Sequence, residues 1–238
     1  MKYLVRTLTT VTAGNVVELC VCEKPIIKQP RRPRSTPTDP DHNVRNIAAA
    51  IRKGARLLNT NFTSQDCFVT LTYTDEARLR LTDDMPAGLT DDEQSAYIYA
   101  QARKELDRCL SRTRYACKAA DVELRYLGVT SDRDLHTQEP AHIHHHIVVN
   151  KEAAEILVGK WRHGGKHKEQ LRNEPDRYNL ASYMIKQSRY GKRKACYVRS
   201  RNLREPVITV EIEPDKLEIP EGACVTVARE NYIRFYME

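Results

Sequence analysis

The chain has 238 residues, of which 40% are hydrophobic and 30% are charged. This length allows one large domain or one domain with an appendage, and the composition is typical of a globular protein with a real core. No run approaches the roughly 20 consecutive apolar residues of a membrane-spanning helix. The first 20 residues alternate like a strand, and their apolar core is too short for a secretory signal. We therefore expect a cytoplasmic protein that makes no membrane contact.

The seven cysteines do not have the spacing of a zinc site. Zinc ribbons use pairs of cysteines with two to four residues between them, and no CxxC pair occurs in this chain. The "CVC" at 20–22 has one intervening residue, which sends its two thiols to opposite faces of a strand. We therefore expect reduced thiols that are mostly packed in the interior.

Positive charge is concentrated in one part of the chain. The net charge is +7, and the segment from Lys151 to Glu205 contains 15 Lys and Arg against 6 Asp and Glu. A local excess of this size is the electrostatic pattern expected of a protein that binds a polyanion such as nucleic acid.

Periodicity and capping residues predict the order of elements. After a strand within residues 1–22, the five prolines of residues 24–43 predict a linker or an extended basic arm. Thr90 followed by Glu93 is a capping-box pattern that predicts a helix start at about residue 91. The glycine-containing segment 162–170 is predicted to be a loop. The predicted helices are 44–58, 91–119, 151–161 and 175–190, and the predicted strands are 67–74, 123–130, 142–150, 194–200, 207–213 and 224–229.

The central elements predict an α+β fold. Their order is that of the split βαββαβ arrangement, a ferredoxin-like antiparallel sheet with helices on one face and the other face open for a ligand. We predict an N-terminal strand and arm at 1–43 and the main domain at 44–206. The segment 207–238 is predicted to be a C-terminal β extension packed on that same domain.

Four histidines lie together in "AHIHHHIVVN" at residues 141–150. On a strand, His142, His144 and His146 share one face and His145 points to the other. Neighbours in that row are roughly 7 Å apart at Cα, whereas His142 and His146 are roughly 13 Å apart, too far to share one metal ion easily. We favour His144 and His146 as a metal pair, because the apolar run after His146 fixes it inside the sheet. A further ligand must come from elsewhere.

A second motif follows about forty residues later. "YMIK" at 183–186 places Tyr183 and Lys186 three residues apart, on one face of the helix predicted there.

In this order the motifs resemble those of HUH endonucleases of the rolling-circle replication-initiator type. "FVTLTY" at 68–73 is similar to their first motif, "HHHIVVN" at 144–150 to their paired-histidine motif, and "YMIK" to the motif of the tyrosine nucleophile. "YVRSRNLREP" at 197–206 resembles a segment that follows in phage-type relatives. The likeness spans roughly residues 44–206. It departs from the family at His145, where a hydrophobic residue is expected.

The resemblance implies a metal-dependent nuclease that cuts single-stranded DNA at a replication origin. Tyr183 would attack phosphorus and form a 5′-phosphotyrosyl intermediate, with Lys186 stabilising charge on the phosphate or lowering the phenol pKa. Mn²⁺ or Mg²⁺ would be held by His144, His146 and a third group. His142 is one candidate for that third group. The other candidates are Thr130, Ser131, Asp132, His136 and Glu139.

The expected partner is the DNA strand itself. The chain contains no GxxxxGK[ST] motif, so a host helicase would have to separate the strands. Two further tyrosines near the motif, Tyr178 and Tyr190, are expected to pack. Other functions with the same sequence features are a non-cleaving origin-binding or regulatory protein, a relaxase or single-tyrosine transposase, and a structural nucleoprotein. The residues expected to grip phosphates are Arg189, Lys192, Arg193, Lys194, Arg199 and Arg201.

Overall fold

The computed structural model describes residues 4–25, 40–137, 139–188, 197–212 and 218–237. No helix within these ranges combines the length and the apolar character that crossing a bilayer requires. The elements are β1 (Leu4–Ala13), β2 (Val16–Pro25), α1 (Pro40–Asn61), β3 (Cys67–Thr72), α2 (Asp75–Leu79), α3 (Asp91–Ala119), β4 (Tyr126–Arg133), β5 (Pro140–Val149), α4 (Lys151–Lys160), β6 (Lys166–Gln170), α5 (Tyr178–Lys186), β7 (Val198–Arg199), β8 (Val207–Ile212), β9 (Cys224–Arg229) and β10 (Tyr232–Tyr236).

Two antiparallel sheets of five strands confirm the α+β class. The chain divides into two compact units, one of residues 1–61, 174–179 and 204–238, the other of residues 62–173 and 180–203. These units do not follow the predicted boundaries at 43 and 206, since α1 is grouped with the strands of both termini.

The sheet of the first unit has the order β8-β1-β2-β10-β9, so the two ends of the chain pair with each other. The predicted single strand in residues 1–22 is in fact a hairpin. Gly14, with a φ of 59°, opens the two-residue turn between β1 and β2. Within this unit the guanidinium of Arg234 pairs with Asp176 at 3.1 Å and lies 4.1 Å above the ring of Tyr178. Tyr178 therefore has a packing contact.

The sheet of the second unit has the order β6-β3-β5-β4-β7. The histidine strand β5 is thus central, paired antiparallel with β3 and with β4. The predicted hairpin of β4 and β5 is confirmed, and so is the helix at 91–119 with its capping box of Thr90 and Glu93. β4 extends to Arg133, into the segment predicted as a polar turn.

The loop predicted at 162–170 is wrong for its second half, because residues 166–170 form β6 at the sheet edge. "KHKEQ" is polar and exposed along its whole length. An edge strand with neither face buried has no reason to alternate, so its sequence shows no period of two.

Helices lie on both faces of the second sheet. Leu106 of α3 and Leu157 of α4 join the core with Leu71 and Ile147, as the predicted packing on one face requires. α5 lies against the opposite face, where the ring of Tyr183 is 6.4 Å from that of Phe68. This corrects the expectation that this face is open, because α5 is itself amphipathic. Its buried residues are Ala181, Met184 and Ile185.

The turn after α4 packs closely on the end of β3. A Cβ added to Gly164 would lie 2.5 Å from the carbonyl oxygen of Thr72, whereas one added to Gly159 in α4 would meet nothing within 4 Å. We expect Gly164→Ala to lower the free energy of unfolding by about 1–3 kcal/mol through overpacking. Gly159→Ala should raise it by about 0.5–1 kcal/mol through helix propensity. Urea denaturation of both variants checks this, and equal effects would contradict the packing.

Candidate active site

Strand pairing assembles the site on one face of the second sheet. In the antiparallel register, Thr70 lies opposite His146, and both Thr72 and Ser131 lie opposite His144. Residues directly opposite each other project from the same face of an antiparallel pair. The face that carries the two histidines therefore also carries three hydroxyl side chains.

His144 and His146 converge on each other. Their Nε2 atoms are 2.9 Å apart. Nδ1 of His144 lies 2.7 Å from the carbonyl oxygen of His142, which can only accept, so Nδ1 donates and Nε2 carries a lone pair. Nδ1 of His146 lies 3.1 Å from Oγ1 of Thr70. The second imidazole is therefore oriented by β3 and the first by its own strand.

Both imidazoles are held in the neutral form that binds metal. Burial lowers the pKa of His144 against the smaller opposing effects of the His142 carbonyl and the Asp132 carboxylate. Burial, together with the neighbouring charge of His144, lowers the pKa of His146 to about 3. A neutral pair at 2.9 Å shares one proton between its Nε2 atoms, and a cation bound there takes the place of that proton.

The donor set fits a divalent cation in part. Nitrogen–metal bonds of about 2.0–2.1 Å allow two Nε2 atoms at this separation to bind one ion. The described residues contain no group of three His, Cys, Asp or Glu side chains placed to hold a metal. His142 is exposed and accepts from Arg78, so its place as a third ligand stays a prediction. Oγ of Ser131 is fully buried on the histidine face and has no hydrogen-bond partner in the described part of the chain.

Tyr183 lies beside the histidine pair. Its ring centroid is 5.2 Å from that of His146, and Phe68 stacks on the same imidazole at 5.1 Å with an interplanar angle of 23°. Phe68 is buried, whereas Tyr183 is 39% exposed. A half-exposed phenol next to a buried metal-binding pair is accessible to a polymer that passes over the sheet. Lys186, one helical turn later, is exposed at the C-terminal end of α5.

His145 points to the opposite face and is completely buried. Its Nε2 lies 2.8 Å from the hydroxyl of Tyr73, and its Nδ1 lies 3.0 Å from Oγ1 of Thr130. Burial lowers its pKa well below the usual value, so it stays neutral. The ring also contacts Trp161 at 5.3 Å between centroids. These contacts explain how a histidine occupies the position where the resemblance expects a hydrophobic residue.

Thr70 and Phe68 were quoted in the first motif, but the sequence assigned them no role. We expect Thr70→Val to weaken Mn²⁺ binding by about 10–100-fold, because it removes the group that orients His146. Thr72→Val is the matched control, since the hydroxyl of Thr72 is on the same strand and face but bonds neither imidazole. Calorimetric titration of the purified variants with Mn²⁺ measures the difference. Equal affinities would show that Thr70 does not support the site.

The predicted phosphate-binding residues lie in different places. Arg199 is opposite Leu127 in β4 and so shares the histidine face. Arg201 lines a cleft with Tyr126, near the end of β4 that lies away from His144. Four others, and Tyr190, lie outside the described residues. These four are Arg189, Lys192, Arg193 and Lys194.

Comparison with known families agrees with this arrangement. The family model of the replication-associated protein ORF2 matches residues 66–188, just over half of the chain. The matched range runs from the start of β3 to the end of α5 and contains the histidine pair and Tyr183. Comparisons with curated proteins and with solved structures found no match. The chain therefore belongs to the replication-associated protein ORF2 family.

Proposed function

We propose that this protein cuts and rejoins single-stranded DNA at a replication origin through a covalent tyrosine–DNA intermediate. Membership of a replication-associated family supports a role in replication initiation and in DNA binding. The observation that carries the proposal is the position of Tyr183, whose ring lies 5.2 Å from that of His146 in the convergent pair. A nucleophile beside a metal-binding pair is the arrangement that phosphodiester transfer requires.

The transfer reaction balances without any external reagent. The hydroxyl oxygen of Tyr183 forms a bond to phosphorus and gives up its proton. The bond from phosphorus to the 3′ oxygen of the neighbouring nucleotide breaks, and that oxygen takes up a proton. The DNA is left with a free 3′-hydroxyl and a 5′-phosphotyrosyl link, which the 3′-hydroxyl can attack to reverse the reaction. Lys186, one turn away on α5, stabilises negative charge on the phosphate.

The histidine pair would hold Mn²⁺ or Mg²⁺, which supplies Lewis-acid polarisation of the non-bridging phosphate oxygens. Imidazole ligands favour Mn²⁺, whereas Mg²⁺ prefers oxygen. Thr70 and the carbonyl of His142 orient the two rings, and Phe68 covers one side of His146. Ser131, water or a DNA phosphate oxygen are the groups left to complete the ligand set.

The test uses a labelled pool of random-sequence single-stranded DNA, incubated with Mn²⁺ or with EDTA. We expect an adduct that survives SDS in Mn²⁺ and is absent in EDTA, and sequencing of the released 3′ ends should converge on one site. DNA that binds but forms no adduct with Mn²⁺ or Mg²⁺ would contradict cutting and would indicate a binding module.

A further inference from the structure

We propose that a basic cleft at the end of β3 binds the phosphodiester backbone of the DNA strand next to the cut. This flanking cleft is ≈ 480 Å³ in volume. It lies wholly in the second unit. The inference rests on the proposed function, since it names a second contact for the same DNA. Its main lining side chains are Thr74, Glu76, Arg80, Arg162, His163 and Lys166.

Three cations of the flanking cleft are available to a ligand. Arg80, Arg162 and Lys166 are exposed, and none of the three side chains makes a hydrogen bond or ion pair with another described residue. Neighbouring basic side chains are already paired, as Arg78 is with Asp75 and Lys168 with Glu155. Cations that converge on one cleft without protein partners are the arrangement that binds an anion.

The other polar groups of the cleft are already engaged. His163 pairs with Glu105 at 3.1 Å. Glu76, the carboxylate of the lining, accepts from Oγ1 of Thr74 at 3.3 Å. One carboxylate against three cations leaves the cleft positive, so a polyanion is favoured over a cation or a neutral ligand.

The cleft wall that meets β3 is backbone. Gly164 lies so close to Thr72 and Thr74 that a Cβ would be 2.5 Å from one carbonyl oxygen and 2.7 Å from one amide nitrogen. A wall without side chains lets an extended polymer lie along it. Thr74 accordingly donates its backbone N–H to the carbonyl of His163 at 2.8 Å, which closes the wall.

The flanking cleft begins close to the histidine pair. Thr72 is opposite His144, and Thr74 is two residues further along, about 7 Å at about 3.3 Å per residue. At about 3.4 Å per stacked nucleotide, a strand that crosses the histidines reaches the cleft within two or three nucleotides. Contacts to backbone phosphate at that point hold the strand in place without reading its sequence.

The test measures DNA binding in the Tyr183→Phe background, where no cutting can interfere. Arg80→Gln/Lys166→Gln removes one cation from each wall. Two lost phosphate contacts should reduce the slope of log affinity against log salt by about 1.4 and weaken binding roughly tenfold near 0.15 M salt. Lys151→Gln/Arg172→Gln is the charge-matched control, since both residues are exposed at the other end of β5 and β6. It should change the slope little.

Equal slopes for the two double variants would overturn the flanking cleft, because the loss would then reflect net charge alone. Arg162→Gln is a second variant from the same cleft and should reduce the slope by about 0.7. A nucleoside triphosphate that binds the parent and not the cleft variants, while DNA binding is unchanged, would also overturn the proposal. Absence of an adduct in protein with Tyr183 would sink the proposed function but leave these binding slopes as measured.

Discussion

Replacement of Tyr183 by Phe is expected to reduce DNA cutting by roughly 10³-fold or more, since it removes the atom that attacks phosphorus. The ring contacts with His146 and Phe68 need no hydroxyl, so the fold and DNA binding should be retained. The readouts are the SDS-resistant adduct in Mn²⁺ and DNA binding measured separately by fluorescence anisotropy.

Tyr178→Phe is the matched control for this variant. Tyr178 lies at the start of the same helix, and its ring packs under the guanidinium of Arg234. That packing survives loss of the hydroxyl, so cutting should stay at the parent level. An adduct that persists in Tyr183→Phe and is lost in Tyr178→Phe would move the nucleophile to the other tyrosine.

The second large effect is expected from the histidine pair. His144→Ala/His146→Ala should weaken Mn²⁺ binding by well over about 100-fold, the upper range for loss of a mere supporting contact to a ligand. Adduct formation should fall with it. Titration with Mn²⁺ and the adduct assay measure the two effects on the same preparation.

His142→Ala is the control for the pair, because this third histidine of the row is exposed and accepts from Arg78. It should retain most of the metal affinity. His144→Ala alone keeps the buried His146 in place and separates loss of metal from loss of folding. Cutting that is unaffected by the double substitution would remove the metal assignment.

Local pattern predicted the fold where one face of an element is buried. The capping box at Thr90 marked the start of α3, and the alternation of 142–150 marked β5 and the outward direction of His145. Pattern failed at β6, which buries neither face, and at the β1–β2 hairpin, where continuous alternation hid the turn at Gly14. The position of α5 on the second face follows from tertiary packing, which its own apolar stripe does not specify.

The site was predictable in its reacting groups but not in their support. Tyr183 and the histidine pair carry sequence motifs of their own. Thr70 acquires its role only because β3 pairs with β5 in one register, although 76 residues separate it from His146. Such a register depends on the hydrophobic faces of both strands, which a local pattern does not relate to each other.

The most direct test of the account is to map the DNA-linked residue. After cutting in Mn²⁺ and nuclease digestion, trypsin should release residues 178–186 carrying a nucleotide. This peptide contains both Tyr178 and Tyr183, so fragment ions must locate the added mass. The account predicts that the mass lies on Tyr183. A nucleotide on any other residue, or an adduct that forms equally well in EDTA, would contradict it.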